Sequence, residues 1–285
     1  MKIIKVINNN VVYARDKGNE HVIVMGKGIG FCGKVGDLIP TDKMEKVIRM
    51  DNQNSIDTLK NQLEGLPEEH FKISSDIVEY ATQHLGKELN KNVFITLTDH
   101  ISFAIQRYQK ELMFPNPLLW EIRKFYFHEF EIGEYAIDLI KIRLGIEFSD
   151  DEAAFIAMHI VCAEYNSDMH EMMDTTKLVS GVVKIVQEYL DMALDEDSFR
   201  LERFVTHLRF LAHRIIEGGQ WQQDDNADRD FGQIVRTVYA DDYNCSLKVA
   251  DFIEEHYRHN MSAMEMSYLT VHIRNLRSEK LKEIE

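Results

Sequence analysis

The sequence predicts a multidomain chain: a small antiparallel all-β N-terminal domain followed by two tandem all-α helical bundles. Three observations carry this. Residues 1–56 alternate β-branched runs with turn compositions, whereas from about Ile56 apolar residues recur at spacings of three and four, the period of an amphipathic helix. Two histidine-bearing blocks occur twice: Thr98-Asp99-His100-Ile101-Ser102-Phe103 returns as Val205-Thr206-His207-Leu208-Arg209-Phe210, and Ala154-Phe155-Ile156-Ala157-Met158-His159-Ile160 as Ser267-Tyr268-Leu269-Thr270-Val271-His272-Ile273. Finally, Ser149-Asp150-Asp151-Glu152 and Ser262-Ala263-Met264-Glu265 each read as a capping box opening the helix that carries the second histidine of its copy. The boxes are offset by 113 residues, as are His159 and His272, and Asp138 and Asp251 match at the same offset. His100 and His207 differ by 107, so the second copy holds six extra residues between its histidines, and the polar stretch Gly218–Asp230 has room for them. Self-similarity of this kind marks a tandem duplication.

Along the chain, Lys2–Ile7 and Val11–Arg15 read as strands joined by the turn Asn8-Asn9-Asn10. Asp16-Lys17-Gly18-Asn19 is a second turn, His21–Met25 a third strand, and Val47–Met50 a fourth. Between the last two lies the glycine-spaced loop Gly26-Lys27-Gly28-Ile29-Gly30-Phe31. A domain this small buries little surface alone, so dimerisation through its sheet is the expected remedy. Asp51-Asn52-Gln53-Asn54-Ser55 reads as a linker, and Pro115-Asn116-Pro117 breaks the helix of His100 from the segment of Trp120. The boundaries drawn from this are 1–56, 65–170 and 171–285.

Composition limits the function classes. With 285 residues and 45% hydrophobic content the chain can build real cores. Cys32, Cys162 and Cys245 are odd in number and form no CxxC pair, which argues against a disulfide framework or a cysteine zinc site and fits a reducing cytoplasm. Met1-Lys2-Ile3-Ile4-Lys5 opens no signal peptide, and the longest apolar run, Ala153 to Ala163, is too short to span a bilayer. The net charge of -15 is unevenly spread: residues 1–56 hold nine Lys/Arg and six Asp/Glu, a balance of +3, and the remainder balances at -18. A random fluctuation over 56 residues and a basic module suited to a polyanion both fit that split.

A single histidine on an apolar helix is commonly a satisfied core residue. Two per copy, at matched positions, look like one site made by two helices. Paired imidazoles bind metals, but neither HExxH nor HxH surrounds these residues, and His256-x-x-His259 has no counterpart in the first copy. Phosphorylation of His100, His159, His207 and His272 is the better candidate. Histidine is a nucleophile toward phosphate donors, and a phosphoryl group adds about -1.5 to -2 charges, so a nearby cation is expected. Arg107 lies seven residues after His100, and Arg203 and Arg214 lie four before and seven after His207, on the same helical faces. In the N-terminal segment, Lys5, Asn10, Gly26, Lys27 and Phe31 supply cation, amide and aromatic groups beside close-approach glycines. That set suits RNA with exposed loop bases, and a plain hairpin with tight turns fits it as well. The loop is neither a P-loop nor a GxGxxG opening a helix.

Lys5-Val6-Ile7-Asn8-Asn9-Asn10-Val11-Val12 followed by Val24-Met25-Gly26-Lys27-Gly28-Ile29-Gly30-Phe31 resembles the start of the BglG/LicT/SacY family of bacterial transcriptional antiterminators. Thr96-Leu97-Thr98-Asp99-His100 and Asp151–His159 resemble its first regulatory domain; Phe204–Leu208 and Tyr268–Ile273 resemble its second. The resemblance covers essentially the whole chain, in order. It implies an N-terminal co-antiterminator domain that dimerises, binds a leader mRNA hairpin and keeps a terminator from forming upstream of sugar-utilisation genes, with a β-glucoside as the sugar class. It implies two phosphotransferase-system (PTS) regulation domains, the first phosphorylated by a sugar-specific permease (enzyme II) and inactivating, the second by phosphorylated HPr and activating. Carried over by position, Lys5, Asn10, Gly26, Lys27 and Phe31 are RNA-contact residues, and the four histidines are phosphoacceptors. Position 27 is often arginine in the family, and lysine cannot make the same bidentate contact. The resemblance implies no catalytic residue, cofactor or membrane insertion. A phosphate on His100 or His159 is expected to oppose the closed dimer, and one on His207 or His272 to meet arginines and tighten it. A metal-dependent enzyme using the paired histidines and a DNA-binding activator with the same regulatory domains are the alternatives.

Overall fold

The structure is a computed structural model and describes residues 1–31, 33–50, 65–191, 198–218 and 227–277, with side chains omitted at 227–230. The linker read at 51–55, and most of the insertion read at 218–230, lie outside the described residues. The chain divides into two compact units, Met1–Ser167 and Asp168–Glu285, so the sheet and the first bundle share a unit.

Four strands, β1 (Lys2–Asn8), β2 (Val11–Arg15), β3 (His21–Met25) and β4 (Lys46–Arg49), form an antiparallel sheet in sequential order. The fourth strand starts and ends one residue earlier than its β-branched run predicts. Met50 still donates its N–H to the His21 carbonyl at 2.9 Å. Because side chains alternate across a strand, the sheet has two apolar faces. Val12, Ala14, Val22 and Val24 point to one, closed by Ile3, Ile29 and Ile39. Val11, Tyr13, Ile23 and Met25 point to the other. Two-residue pairing keeps this order: Tyr13 stands opposite Lys5 on one side and Ile23 on the other.

The second face is covered within the chain. It rests on Phe71, Phe94 and Ile95 of the first bundle. Phe71 is fully buried and Phe94 nearly so, and burying side chains of this size is worth about 2–3 kcal/mol each. Within one chain, the first bundle thus supplies part of the burial that a small sheet lacks.

The first bundle comprises α1 (Glu68–Leu85), α2 (Val93–Gln109), α3 (Leu119–Phe125), α4 (Phe127–Leu144) and α5 (Asp150–Tyr165). The second comprises α6 (Met169–Leu190), α7 (Phe199–Ile216), α8 (Ala227–Val238), α9 (Ala240–Tyr257) and α10 (Ala263–Arg277). Their packing partners repeat. In the first, α1 lies on α2 and α4, α5 on α2, α3 and α4, and α3 on α4; in the second, α6 lies on α7 and α9, α10 on α7, α8 and α9, and α8 on α9. The copies differ in how the α4–α5 and α9–α10 pairs close. A Cβ on Gly133 of α4 would lie 2.1 Å from the Ala153 carbonyl oxygen, so the backbones touch there. The matched position in α9 is Ser246, whose hydroxyl bonds to Thr270 of α10 at 2.9 Å inside the core.

The helix starts also depart from the sequence pattern. Ser262 and Glu265 form their box: the Ser262 N–H donates to Glu265 Oε2 at 2.8 Å, and the Glu265 N–H to Ser262 Oγ at 3.2 Å. Ser149 and Glu152 do not. Ser149 Oγ bonds to Asp151 Oδ2, whose other oxygen accepts the Asn116 N–H at 2.8 Å and so ties down the proline break. Glu152 turns inward. A box that the sequence analysis passed over, Asp168 with Glu171, opens α6.

Candidate functional site

Each bundle brings its two histidines together across the pair of helices that carry them. In the first, His100 of α2 and His159 of α5 have ring centroids 4.7 Å apart at 45°. In the second, His207 of α7 and His272 of α10 stack at 3.9 Å and 29°. An aromatic ring from the later helix flanks each earlier histidine: Phe155 at 6.1 Å from His100, and Tyr268 at 6.2 Å from His207. The lone pairs of a ring lie in its own plane, so the stacked rings of His207 and His272 do not aim at a common ion. Among the described residues, neither pair belongs to a three-ligand cluster.

The surroundings set the protonation state. Burial, with His100 adding repulsion, pushes the His159 pKa down to about 3. Burial, then His207 and Arg203, lowers His272 to about 4. His207 is lowered by burial and by Arg203. A neutral imidazole keeps a nitrogen lone pair, which is what nucleophilic attack on phosphorus requires.

Of the predicted arginines, Arg107 and Arg214 each pair with a glutamate. Glu152 reaches His100 Nε2 at 2.6 Å and Arg107 Nη2 at 3.1 Å. In the second copy Glu265, besides its capping bonds, takes Arg214 Nη2 at 3.0 Å, with His259 Nε2 at 3.4 Å. Burial works against the Glu265 carboxylate, but the Ser262 hydrogen bonds, His259 and Arg214 outweigh it and hold its pKa below the ordinary range. Both glutamates entered the sequence analysis only as capping residues. Their match at the same offset as the histidines was the available signal. The first site also carries Asp99, whose carboxyl burial pushes up against the pull of His100; the second carries Arg203 instead. The His272 ring borders two cavities of about 250 Å³ each: one shared with His207, Phe210, Arg214 and Tyr268, the other with Arg200, Arg203 and Asn275.

In the sheet, the β1–β2 turn and the glycine loop are stitched together. Gly26 N–H donates to the Asn10 carbonyl at 2.9 Å, Gly28 N–H to Asn10 Oδ1 at 2.5 Å, and the N–H groups of Gly30 and Phe31 to the Asn9 carbonyl at 2.9 and 3.2 Å. Gly26 has no substitute here, since a Cβ would meet the Lys43 carbonyl oxygen at 1.8 Å. This brings Asn10, Gly26, Lys27 and Phe31 to one edge, with Lys27 exposed and Phe31 76% exposed. Lys5 stands farther along β1, opposite Tyr13. The Asn10 amide is engaged on both sides: its Oδ1 accepts from Gly28, and its Nδ2 donates to the Glu68 carboxylate at the start of α1.

Comparison with known proteins agrees with this layout. The family model described as the CAT RNA binding domain matches residues 1–57, and that of the PRD domain matches twice, at 75–163 and 180–276. The chain is 40% identical over 273 residues to the transcription antiterminator LicT of Bacillus subtilis (strain 168), covering 96% of this chain and 98% of that protein. It is 36% identical over 279 residues to the beta-glucoside operon antiterminator of Dickeya chrysanthemi, covering 98% of each. The crystal structure of GlcT CAT-PRDI superposes with a TM-score of 0.50 at 34% identity, covering 57% of this chain and 97% of that one. A sheet with a stitched loop, followed by two copies of one bundle with paired histidines, thus places the chain in the BglG/LicT family of transcriptional antiterminators.

Proposed function

We propose that this chain acts as a homodimer that binds a hairpin in the leader of an mRNA, keeps the overlapping terminator from forming, and is switched by histidine phosphorylation through the PTS. The observation that carries this reading is the pair of adjacent histidines in each repeat, with His159 and His272 held neutral and His272 bordering open space. On this reading His100, His159, His207 and His272 are acceptors: an imidazole nitrogen attacks phosphorus, its N–P bond forms, and the N–P bond of the donor's phosphohistidine breaks. The donors are phosphorylated HPr and a sugar-specific permease. A β-glucoside is the inducing sugar class, in keeping with the name of the Dickeya chrysanthemi relative. The protein has no catalytic role of its own and needs no cofactor.

The two sites differ in charge, which supports opposite effects. A phosphoryl group on His100 Nε2 must displace Glu152, and it meets Asp99 as well. A phosphoryl group on His207 or His272 enters the field of Arg203. The RNA-contact set is Lys5, Asn10, Gly26, Lys27 and Phe31, with Phe31 offering a stacking face and Lys27 a phosphate contact. Pairing of two sheets would use the face of Val11, Tyr13, Ile23 and Met25, now resting on Phe71, Phe94 and Ile95.

The test is a gel shift of the full chain on the leader hairpin of its own operon, before and after phosphorylation by HPr. The reading expects salt-sensitive binding that strengthens on phosphorylation of the second repeat and disappears in Asn10→Ala and Phe31→Ala. Binding unaltered by both substitutions would remove the RNA-contact assignment, and phosphohistidine formed undiminished in the second repeat of a His207→Ala/His272→Ala variant, or none formed in the unmodified chain, would remove the switch.

A further inference from the structure

Away from the paired histidines, a second convergence of imidazoles joins α1 to α4. His84 lies in the last turn of α1, and His128 and Glu131 in the first turns of α4. His84 Nε2 is 3.0 Å from Glu131 Oε2, and His128 Nδ1 is 3.6 Å from the same oxygen. All three ligand atoms lie within 4.8 Å of one another, and this is the one such group among the described residues.

We propose that His84, His128 and Glu131 form a site for a divalent transition metal of the zinc class, bridging the end of α1 to the start of α4. Two imidazoles and one carboxylate are the donor set zinc takes in three-ligand sites, with water in the fourth position. Tetrahedral ligands at zinc distances of about 2.0–2.1 Å stand roughly 3.4 Å from each other, so the 3.0 and 3.6 Å separations need only side-chain adjustment to admit the ion. The rings are already oriented. His84 stacks on Tyr80 (5.4 Å, 19°), and Tyr80 stacks on Tyr135 of α4 (3.9 Å, 17°). His128 meets Phe127 and His84 edge-on. Such restraint lowers the ordering cost of ligation. The three side chains are 29%, 58% and 36% exposed, which leaves room for the water ligand and an entry path. With a single protein oxygen among the donors, the site does not suit calcium or magnesium, which prefer oxygen shells. Residues 57–285 balance at -18, a field that favours cations.

The test is titration of zinc chloride into the full-length, chelator-treated protein by calorimetry, alongside His84→Ala, His128→Ala and, as a control outside the group, His170→Ala. Circular dichroism checks that each variant is folded. The expected result is one equivalent of micromolar affinity, weakened at least about tenfold by either alanine in the group and unchanged by the control. A parallel NMR titration of the unmodified chain keeps the idea testable if a variant misfolds: the His84 and His128 ring protons should shift before those of any other histidine. Zinc bound equally by both variants, no binding at all, or first shifts at His207 and His272 would each overturn the proposal.

Discussion

Glu152 and Glu265 occupy matched positions, and each balances an arginine with a histidine beside it. Glu152 has His100 and Arg107 as its partners, so Glu152→Gln leaves the largely buried Arg107 guanidinium without a counter-charge. The expected cost is about 3 kcal/mol, read by urea unfolding of the first repeat. A second prediction concerns acid. Burial holds the folded-state pKa of His159 near 3 and of His272 near 4, below the unfolded value of about 6.5. The unfolded chain therefore takes up protons first as pH falls. Each group's contribution is complete above pH of about 6.5 and is lost on the way down toward the folded pKa, at up to about 1.4 kcal/mol per pH unit. His159→Gln should flatten the fall in stability between roughly pH 6 and 4, measured by denaturant midpoints. A slope identical to that of the unmodified protein would show that His159 protonates as readily folded as unfolded.

Among the elements, the α4–α5 contact is the most exacting. Gly133→Ala places a methyl 2.1 Å from the Ala153 carbonyl oxygen, so the helices must separate. Overpacking of this kind costs about 1–3 kcal/mol. Since α5 carries His159 and Glu152, the His100–His159 spacing should change with it. A thermal scan with the imidazole NMR signals as reporter checks both; an unshifted melting temperature would mean that the helices part freely. The strands and the duplicated helices were legible because β-branched runs and repeated blocks are local signals. The histidine pairs were legible too, since repetition marks them without any knowledge of distance. The failed box at Ser149 was not: an S-x-x-E spacing is the same whether the glutamate caps its helix or crosses to His100. Nor could spacing show that His84 meets Glu131, or that Glu68 meets Asn10, because neither pair lies within one element. The apolar alternation of Val11, Tyr13, Ile23 and Met25 announced a face to be covered, without saying that Phe71 and Phe94 of the same chain would cover it.

For the whole molecule, the first bundle touches the candidate RNA edge directly through Glu68. Glu68→Ala releases the Asn10 amide group and should raise RNA affinity of the unphosphorylated full chain about fivefold, the equivalent of one hydrogen bond of about 1 kcal/mol. A gel-shift titration decides it; unchanged affinity would make the Asn10–Glu68 contact irrelevant to recognition.

The cover on the sheet has a wider consequence. Within one chain, tethering gives the Phe71–Phe94 surface a local concentration on the order of millimolar at the sheet. A second copy, pairing as proposed, would compete for that face only at its actual concentration in the cell. If the chain pairs through this face as proposed, and the two occupants are close in free energy, expression level becomes a further input: a cell that makes more of this protein shifts it toward the paired form. Gene dosage would then set how readily the operon opens.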